Sequence, residues 1–119
     1  MSDTLDLSIV IPLLNEEESL RPLFQRIEDA VNDYGLTYEV IFIDDGSTDG
    51  SIEVLKELHK RSDAVKIIQF RRNFGKAAAY SAAFGRVHGK YVITMDADLQ
   101  DDPAEIPNLI GKLEEGYDL

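Results

Sequence analysis

The sequence contains no cysteine among its 119 residues. Disulfide bonds, thiolate zinc sites and cysteine nucleophiles are therefore excluded, and the composition fits a reducing compartment. No apolar run approaches the roughly 20 residues that a membrane-spanning helix needs. The first residues are acidic where a signal peptide carries basic ones. We therefore expect a cytoplasmic domain, with any membrane contact made only through segments beyond Leu119.

Positive charge is also scarce. Lys and Arg number 12 against 23 Asp and Glu, which gives a formal net charge of −11. Nucleic-acid binding without sequence preference depends on Lys and Arg against phosphate, so nucleic acid is excluded as an expected partner. With 44% hydrophobic and 29% charged residues, the composition is that of a globular protein. The length suits one domain, residues 1–119, with a single core.

Several common catalytic motifs are missing. The segment "IPLLNEEE" after the first apolar run has no G-x-G-x-x-G, which argues against a nicotinamide or flavin dinucleotide site. No G-x-x-x-x-G-K-[ST] is present, which argues against an ATPase. Ser47 and Ser51 have no evident histidine partner, so no acyl-transfer triad is indicated. His59 and His88 are expected at the surface near helix ends.

Four apolar runs alternate with four helix-like segments. Continuous β-branched or aromatic runs predict strands covered on both faces, as in a parallel sheet. Apolar residues spaced three or four apart predict the helices, and the alternation predicts a doubly wound α/β sheet with helices on both faces. The strands are expected at 7–11, 40–43, 65–70 and 91–95. The first helix is expected to start at about Ser19, and the second to follow a capping group at 47–49. The third is expected at 77–87, and the fourth from Pro103 towards Gly116.

Two features concern the ends of these elements. Asn15 followed by Glu18 resembles a capping box. Pro22 fits the first turn of a helix that starts near Ser19, where its missing N–H costs little. The segment 117–119 resembles the start of a fifth strand, so we expect the chain to be part of a longer protein.

A cluster of aspartates follows the fourth run, in "TMDADLQDDP". Asp96 and Asp98 are two residues apart and are expected to face the same side, with the small Ala97 leaving room for a ligand. Their carboxylates and the amide oxygen of Gln100 form a hard oxygen set, which favours Mg²⁺ or Mn²⁺ over zinc. The alternative is that the aspartates cap the strand end and the helix beginning near Pro103.

Basic residues are expected at the same edge of the sheet. Arg71, Arg72 and Lys76 follow the third strand, and together with a divalent cation they would clamp a diphosphate. The alternative is ion pairing with neighbouring acids. Asn73 and Gly75 predict a tight turn into the third helix, whose N-terminus can face an anion or can simply be capped.

Two further acids, Asp44 and Asp45, end the second strand. An acid at such a position commonly hydrogen-bonds the ribose or base of a nucleotide. Residues 47–49 are expected to cap the following helix, so no structural role is evident for Asp44 and Asp45. We therefore interpret Asp44 and Asp45 as binding residues.

Four ordered segments, "SIVIPLLNEEESL", "VIFIDDGSTDGS", "FRRNFGKAAA" and "VITMDADLQDDP", together resemble the amino-terminal half of family 2 glycosyltransferases of the GT-A fold. The resemblance is greatest to the branch that transfers sugars onto polyprenyl phosphates. It implies an inverting transfer from a GDP- or UDP-linked sugar, with Mg²⁺ or Mn²⁺, to a polyprenyl phosphate or a glycan. It also implies that the general base lies beyond Leu119, and that the complete protein works at the cytoplasmic face of the membrane.

The resemblance also implies site residues. Leu14 stands where many relatives carry an aromatic residue able to stack on the base. The other implied positions are Pro12, Asn15 and Glu16 at the nucleotide pocket, Asp44 and Asp45 at base or ribose, Arg72, Asn73, Gly75, Lys76 and Ala97 at the nucleotide-sugar, and Asp96, Asp98 and Gln100 at the metal.

Four alternatives remain open. Two belong to the same family: transfer to a saccharide acceptor, and a nucleotide-sugar-binding module without transfer activity. A haloacid dehalogenase phosphatase would place its D-x-D on the first strand, with Thr or Val where Gln100 stands. A receiver module would need a phosphorylatable aspartate at the end of the third strand, where Arg71 and Arg72 are found.

Overall fold

The computed structural model describes residues 5–100 and 102–114. Strands and helices alternate along the chain, as the apolar pattern predicts, and the last helix follows a single 3₁₀ turn at Pro103–Glu105. The strands are β1 (Leu5–Leu13), β2 (Tyr38–Asp44), β3 (Val65–Gln69) and β4 (Gly89–Thr94). The helices are α1 (Leu20–Asp33), α2 (Ser51–Arg61), α3 (Lys76–Phe84) and α4 (Ile106–Glu114).

All strand pairs in the sheet are parallel, in the order β3-β2-β1-β4. The chain adds strands in one direction from β1 to β3, and then returns to place β4 on the other side of β1. Right-handed crossovers therefore put α1 and α2 on one face and α3 on the other. The predicted doubly wound sheet is confirmed, and its order reverses between β1 and β4.

The two faces of the sheet are covered differently. The larger cluster packs α1, α2 and α4 against the sheet, with Phe24 and Phe42 fully buried. Burial of each such side chain contributes about 1.5–3 kcal/mol. On the other face, Ala79 and Ala83 of α3 lie against Val10 and β2. These small side chains let the helix backbone approach the sheet closely, as the sequence predicts.

The helix starts are set by loop contacts. α1 begins at Leu20, so Pro22 lies in the first turn as predicted. The predicted capping box is wrong, because the Asn15 side chain accepts hydrogen bonds from the backbone of Thr48 and Asp49 instead. The cap of α2 predicted at 47–49 is wrong, because the N-cap residue is Gly50, which makes no side-chain hydrogen bond; Asp49, one residue earlier, accepts the Ser51 N–H. The predicted helix end at Gly116 and the fifth strand at 117–119 lie outside the described residues.

The amino edge of the sheet holds a buried carboxylate that the sequence pattern does not reveal. Glu39 is 2% exposed and accepts hydrogen bonds from the Ser8 hydroxyl (2.6 Å) and the His88 backbone N–H (2.7 Å). The His88 ring is at the surface, as expected, with Nδ1 3.3 Å from the second Glu39 oxygen. Gly89 N–H in turn donates to Ser8 Oγ. This network joins β1, β2 and β4.

None of the helices within the described ranges has the length and apolar character needed to cross a bilayer.

Candidate functional site

An open cavity of about 510 Å³ lies at the carboxyl edge of the sheet, beyond the paired part of β1 and β4. This is the position at which ligands bind in doubly wound sheets, and the volume suits a nucleotide-sized molecule. The loops after all the strands contribute to it. Its lining is formed by Pro12, Leu13, Leu14, Glu16, Asp45, Asn73, Gly75, Lys76, Asp96, Ala97, Asp98 and Gln100.

The structure brings most of the predicted site residues to this cavity. Asn15, Asp44 and Arg72 belong to the same loops but not to its lining. Leu13 is a lining residue that is absent from the predicted site residues. Its position directly before the polar loop is the one indication that could have identified it.

Asn15 connects two loops instead of facing the cavity. Its backbone has a φ of 54°, a left-handed conformation that asparagine tolerates better than most residues. Its N–H donates to Ser47 Oγ, and its Oδ1 accepts from the N–H groups of Thr48 (2.8 Å) and Asp49 (3.3 Å). Asn15 therefore shapes the cavity rim by holding the loop after β1 against the loop after β2.

The acid pair at the end of β2 has structural roles that the sequence did not make evident. Asp44 is buried, and its Oδ1 accepts the Ser47 N–H at 2.9 Å, closing the turn after the strand. Asp45 accepts the Phe74 N–H (2.7 Å) and the Gly75 N–H (3.1 Å) with its two oxygens. Asp45 also lines the cavity, so it both anchors the 73–75 loop and faces the ligand space.

The same two loops pack tightly at Gly46. A Cβ on this glycine would lie 2.5 Å from the carbonyl carbon of Arg72 and 2.6 Å from the Asn73 nitrogen. Its φ of +86° also disfavours any other residue. Gly46 therefore permits the backbone of the loop after β3 to approach the cavity.

Of the three basic residues predicted to act together, only Lys76 is in the cavity lining. The Arg72 guanidinium lies 4.8 Å from the centroid of the Phe74 ring, and neither residue belongs to the lining. Arg71 is exposed and is likewise outside the lining. Lys76, the first residue of α3, is the one Lys or Arg among the lining residues within the described ranges.

Lys76 faces the aspartates across the cavity. Its Nζ lies 3.0 Å from Asp96 Oδ1, and this hydrogen bond and the charge of Asp96 raise the pKa of Lys76 above its usual value. Asp96 and Asp98 both belong to the cavity lining. Asp98 Oδ1 accepts the Gln100 N–H at 3.2 Å, in a turn where Leu99 has a φ of 68°.

The donors at this edge suit a hard divalent cation. They are carboxylate and amide oxygens, the ligands that Mg²⁺ and Mn²⁺ prefer. Across residues 5–100 and 102–114, no three His, Cys, Asp or Glu side chains converge into a group able to hold a metal ion. Two carboxylates match the way Mg²⁺ binds when substrate phosphates complete its coordination. The donor set thus fits a metal that arrives with a phosphorylated ligand.

The fold and cavity define an α/β domain of the doubly wound class with its ligand site at the switch point. The chain belongs to glycosyl transferase family 2, which matches residues 8–119. It is 44% identical, over 113 residues, to the undecaprenyl-phosphate 4-deoxy-4-formamido-L-arabinose transferase of Salmonella paratyphi B. That match covers 94% of this chain and 35% of the relative, so the chain spans about a third of the relative's length.

Solved structures of glycosyltransferases share the fold. The mannosyltransferase PcManGT from Pyrobaculum calidifontis, in complex with GDP-Man and Mn²⁺, matches with a TM-score of 0.77 at 21% identity, over 97% of this chain and 33% of that one. The glucosyl-3-phosphoglycerate synthase from Mycobacterium tuberculosis, with Mn²⁺, UDP and phosphoglyceric acid, matches with a TM-score of 0.69 at 26% identity, over 92% and 39%. The sequence-based identification of the GT-A fold and of the family is therefore confirmed.

Proposed function

We propose that the complete protein transfers a sugar from a nucleoside-diphosphate sugar to a polyprenyl phosphate, and that this chain forms the donor site. The observation that carries the proposal is the meeting of Asp45, Lys76, Asp96 and Asp98 around one cavity at the switch point of a family 2 chain. The relatives support it, since they include an undecaprenyl-phosphate sugar transferase and a complex with GDP-Man and Mn²⁺.

The diphosphate is the part of the donor best matched by the cavity. Asp96, Asp98 and Gln100 would hold Mg²⁺ or Mn²⁺, which supplies positive charge to the leaving diphosphate. Lys76 would approach the diphosphate from the other side, together with the N-terminal N–H groups of α3. Because these groups are in position before the reaction, they offset the negative charge that develops on the diphosphate as its bond to the sugar breaks.

The nucleoside would occupy the end of the cavity formed by β1 and β2. Pro12 and Leu14 offer apolar contact to the base, and Leu14 is 41% exposed there. Asp45 faces the same space while both its oxygens accept loop N–H groups. A carboxylate oxygen has two lone pairs, so Asp45 can still accept a hydrogen bond from a ribose hydroxyl or a base N–H.

The acceptor is proposed from its chemistry and from the relatives. A polyprenyl phosphate is already ionised at neutral pH, so its oxygen can attack the anomeric carbon without a strong general base. Attack from the face opposite the diphosphate inverts the anomeric carbon. A saccharide hydroxyl would require a general base, which we expect beyond Leu119. A lipid acceptor would place the complete protein at the cytoplasmic membrane face.

Calorimetry with the purified protein tests the donor site. GDP and UDP should bind in the presence of Mn²⁺ or Mg²⁺ and much more weakly with EDTA. Asp98→Ala should lose the metal-dependent part of the binding, whereas Asp33→Ala removes an exposed acid outside the cavity lining and should not. Metal-independent binding, or none at all by the complete protein, would refute the donor site.

Transfer assays then separate the remaining alternatives. Radiolabelled nucleotide-sugars should label undecaprenyl phosphate in the presence of the complete protein and metal. Labelling of a glycan instead would indicate the saccharide-acceptor alternative. Donor binding without transfer to either acceptor would indicate a binding module.

A further inference from the structure

The ion pair between Lys76 and Asp96 bridges two sides of the cavity. Lys76 begins α3, after the loop that follows β3, while Asp96 follows β4. Their charged atoms are 3.0 Å apart, and the side chains are 66% and 41% exposed. An ion pair this exposed is weak, and a competing ligand can displace it at little cost.

Two different cations would therefore use the same carboxylate. A divalent metal needs the oxygens of Asp96 and Asp98, and an ammonium group at 3.0 Å from Asp96 both occupies one of these oxygens and repels the metal. The nucleotide diphosphate needs a cation as well, and Lys76 lies at the rim of its proposed position.

We propose that Lys76 competes with the metal, occupying Asp96 in the ligand-free protein and moving to the diphosphate when a divalent cation binds. This inference rests on the proposed donor site. The outcome is coupled binding: the metal alone binds weakly, and the metal together with the diphosphate binds well because the displaced ammonium gains a new partner. By linkage, each ligand then favours the other to the same extent.

The surrounding structure lets the side chain move while the backbone stays in place. The neighbouring Gly75 N–H is held by Asp45 at 3.1 Å, and Phe74 N–H is held by the same carboxylate. Lys76 itself carries four flexible methylene groups and is largely solvent-exposed. Rotation of its side chain can therefore exchange partners without rebuilding the loop.

The test compares Lys76→Met with wild type in two separate titrations. Mn²⁺ alone is followed by the electron paramagnetic resonance of free Mn²⁺, and UDP or GDP at saturating Mn²⁺ is followed by calorimetry. Lys76→Met should bind Mn²⁺ alone about 2–5-fold more tightly, because the competing cation is gone. It should bind the nucleotide more weakly, by about 5-fold or more, because a charged phosphate contact is lost.

Two controls accompany the variant. Lys76→Arg keeps the cation and should retain weak binding of Mn²⁺ alone. Lys56→Met removes the same charge from the exposed face of α2, outside the cavity lining, and should change neither titration. A tighter Mn²⁺ site in Lys56→Met equal to that in Lys76→Met would show a general charge effect and overturn the inference.

The outcomes separate the inference from the proposed function. If wild type shows metal-dependent nucleotide binding but Lys76→Met binds Mn²⁺ alone with unchanged or lower affinity, the competition does not exist and the donor site stands. A merely structural role for Lys76 would weaken both ligands together. If wild type binds neither nucleotide with Mn²⁺, the proposed donor site fails and the inference fails with it.

Discussion

Replacement of Glu39 by alanine should destabilise the domain far more than replacement of His88, whose ring contacts the same carboxylate. Glu39 is 2% exposed and accepts the Ser8 hydroxyl at 2.6 Å and the His88 backbone N–H at 2.7 Å. Alanine removes the carboxylate oxygen that accepts both hydrogen bonds, so the Ser8 hydroxyl loses this acceptor and the His88 N–H keeps only its longer contact to Ser8 Oγ at 3.3 Å. His88→Ala keeps the backbone N–H and removes only a ring that is 65% exposed.

The expected magnitudes follow from these contacts. A buried donor left without a partner costs about 1–3 kcal/mol, and the weakened His88 hydrogen bond adds to this, so Glu39→Ala should cost roughly 2–4 kcal/mol. That is a large share of the roughly 5–15 kcal/mol by which a domain is stable. Loss of the exposed ring contact should cost about 0.2–1 kcal/mol. Glu39→Gln keeps one acceptor oxygen and should fall between the two.

Urea unfolding followed by circular dichroism measures the three variants against wild type. The order Glu39→Ala, Glu39→Gln, His88→Ala, from least to most stable, is the expected result. If His88→Ala lost as much stability as Glu39→Ala, the exposed ring and not the buried backbone contact would carry the interaction. If Glu39→Ala cost less than about 1 kcal/mol, the two donors would not depend on the carboxylate and the reasoning would be wrong.

Two further predictions concern the loops around the cavity. Asp45→Ala should lower the free energy of unfolding in urea by about 2–4 kcal/mol, because the Phe74 and Gly75 N–H groups lose a charged acceptor. The same variant should bind nucleotide more weakly in calorimetry. Full stability with unchanged affinity would contradict this role. Gly46→Ala should lower thermal stability by about 1–3 kcal/mol more than Gly35→Ala, because both have positive φ but only Gly46 would place a Cβ against the next loop. Equal losses at the two glycines would exclude the predicted collision.

The sequence was sufficient for the fold because the forces that form it are local and periodic. Continuous apolar runs indicate the strands, and Pro22 indicates where α1 starts. The prediction that the strands are covered on both faces holds for the central β1 and β2 and is wrong for β3 and β4, which lie at the edges of the sheet and are only partly buried. The alternation of strands and helices then predicts the doubly wound arrangement with right-handed crossovers. The alanine-rich α3 packs close to the sheet. The element bounds differ from the predicted ones by a few residues in both directions: β1 continues to Leu13, past the predicted end at 11, whereas α3 ends at Phe84, before the predicted end at 87.

The general position of the site was also predictable from the chain. Carboxyl ends of parallel strands meet at one edge, so Asp96, Asp98 and Lys76 were expected together, and the cavity unites them. Their roles in binding a metal and a diphosphate remain predictions for the experiments above.

The partner of each loop side chain depended on contacts between residues about 30 positions apart or more. Asn15 bonds the loop after β2, and Asp45 bonds the loop after β3, where the sequence suggested a helix cap and a free binding group. Arg72 is an exception, because its guanidinium lies over the ring of Phe74, two residues along the chain, and outside the cavity lining. Glu39 meets its donors because three strands converge at the amino edge. Side-chain direction in a loop follows from packing between distant segments, and no local period in the chain encodes it.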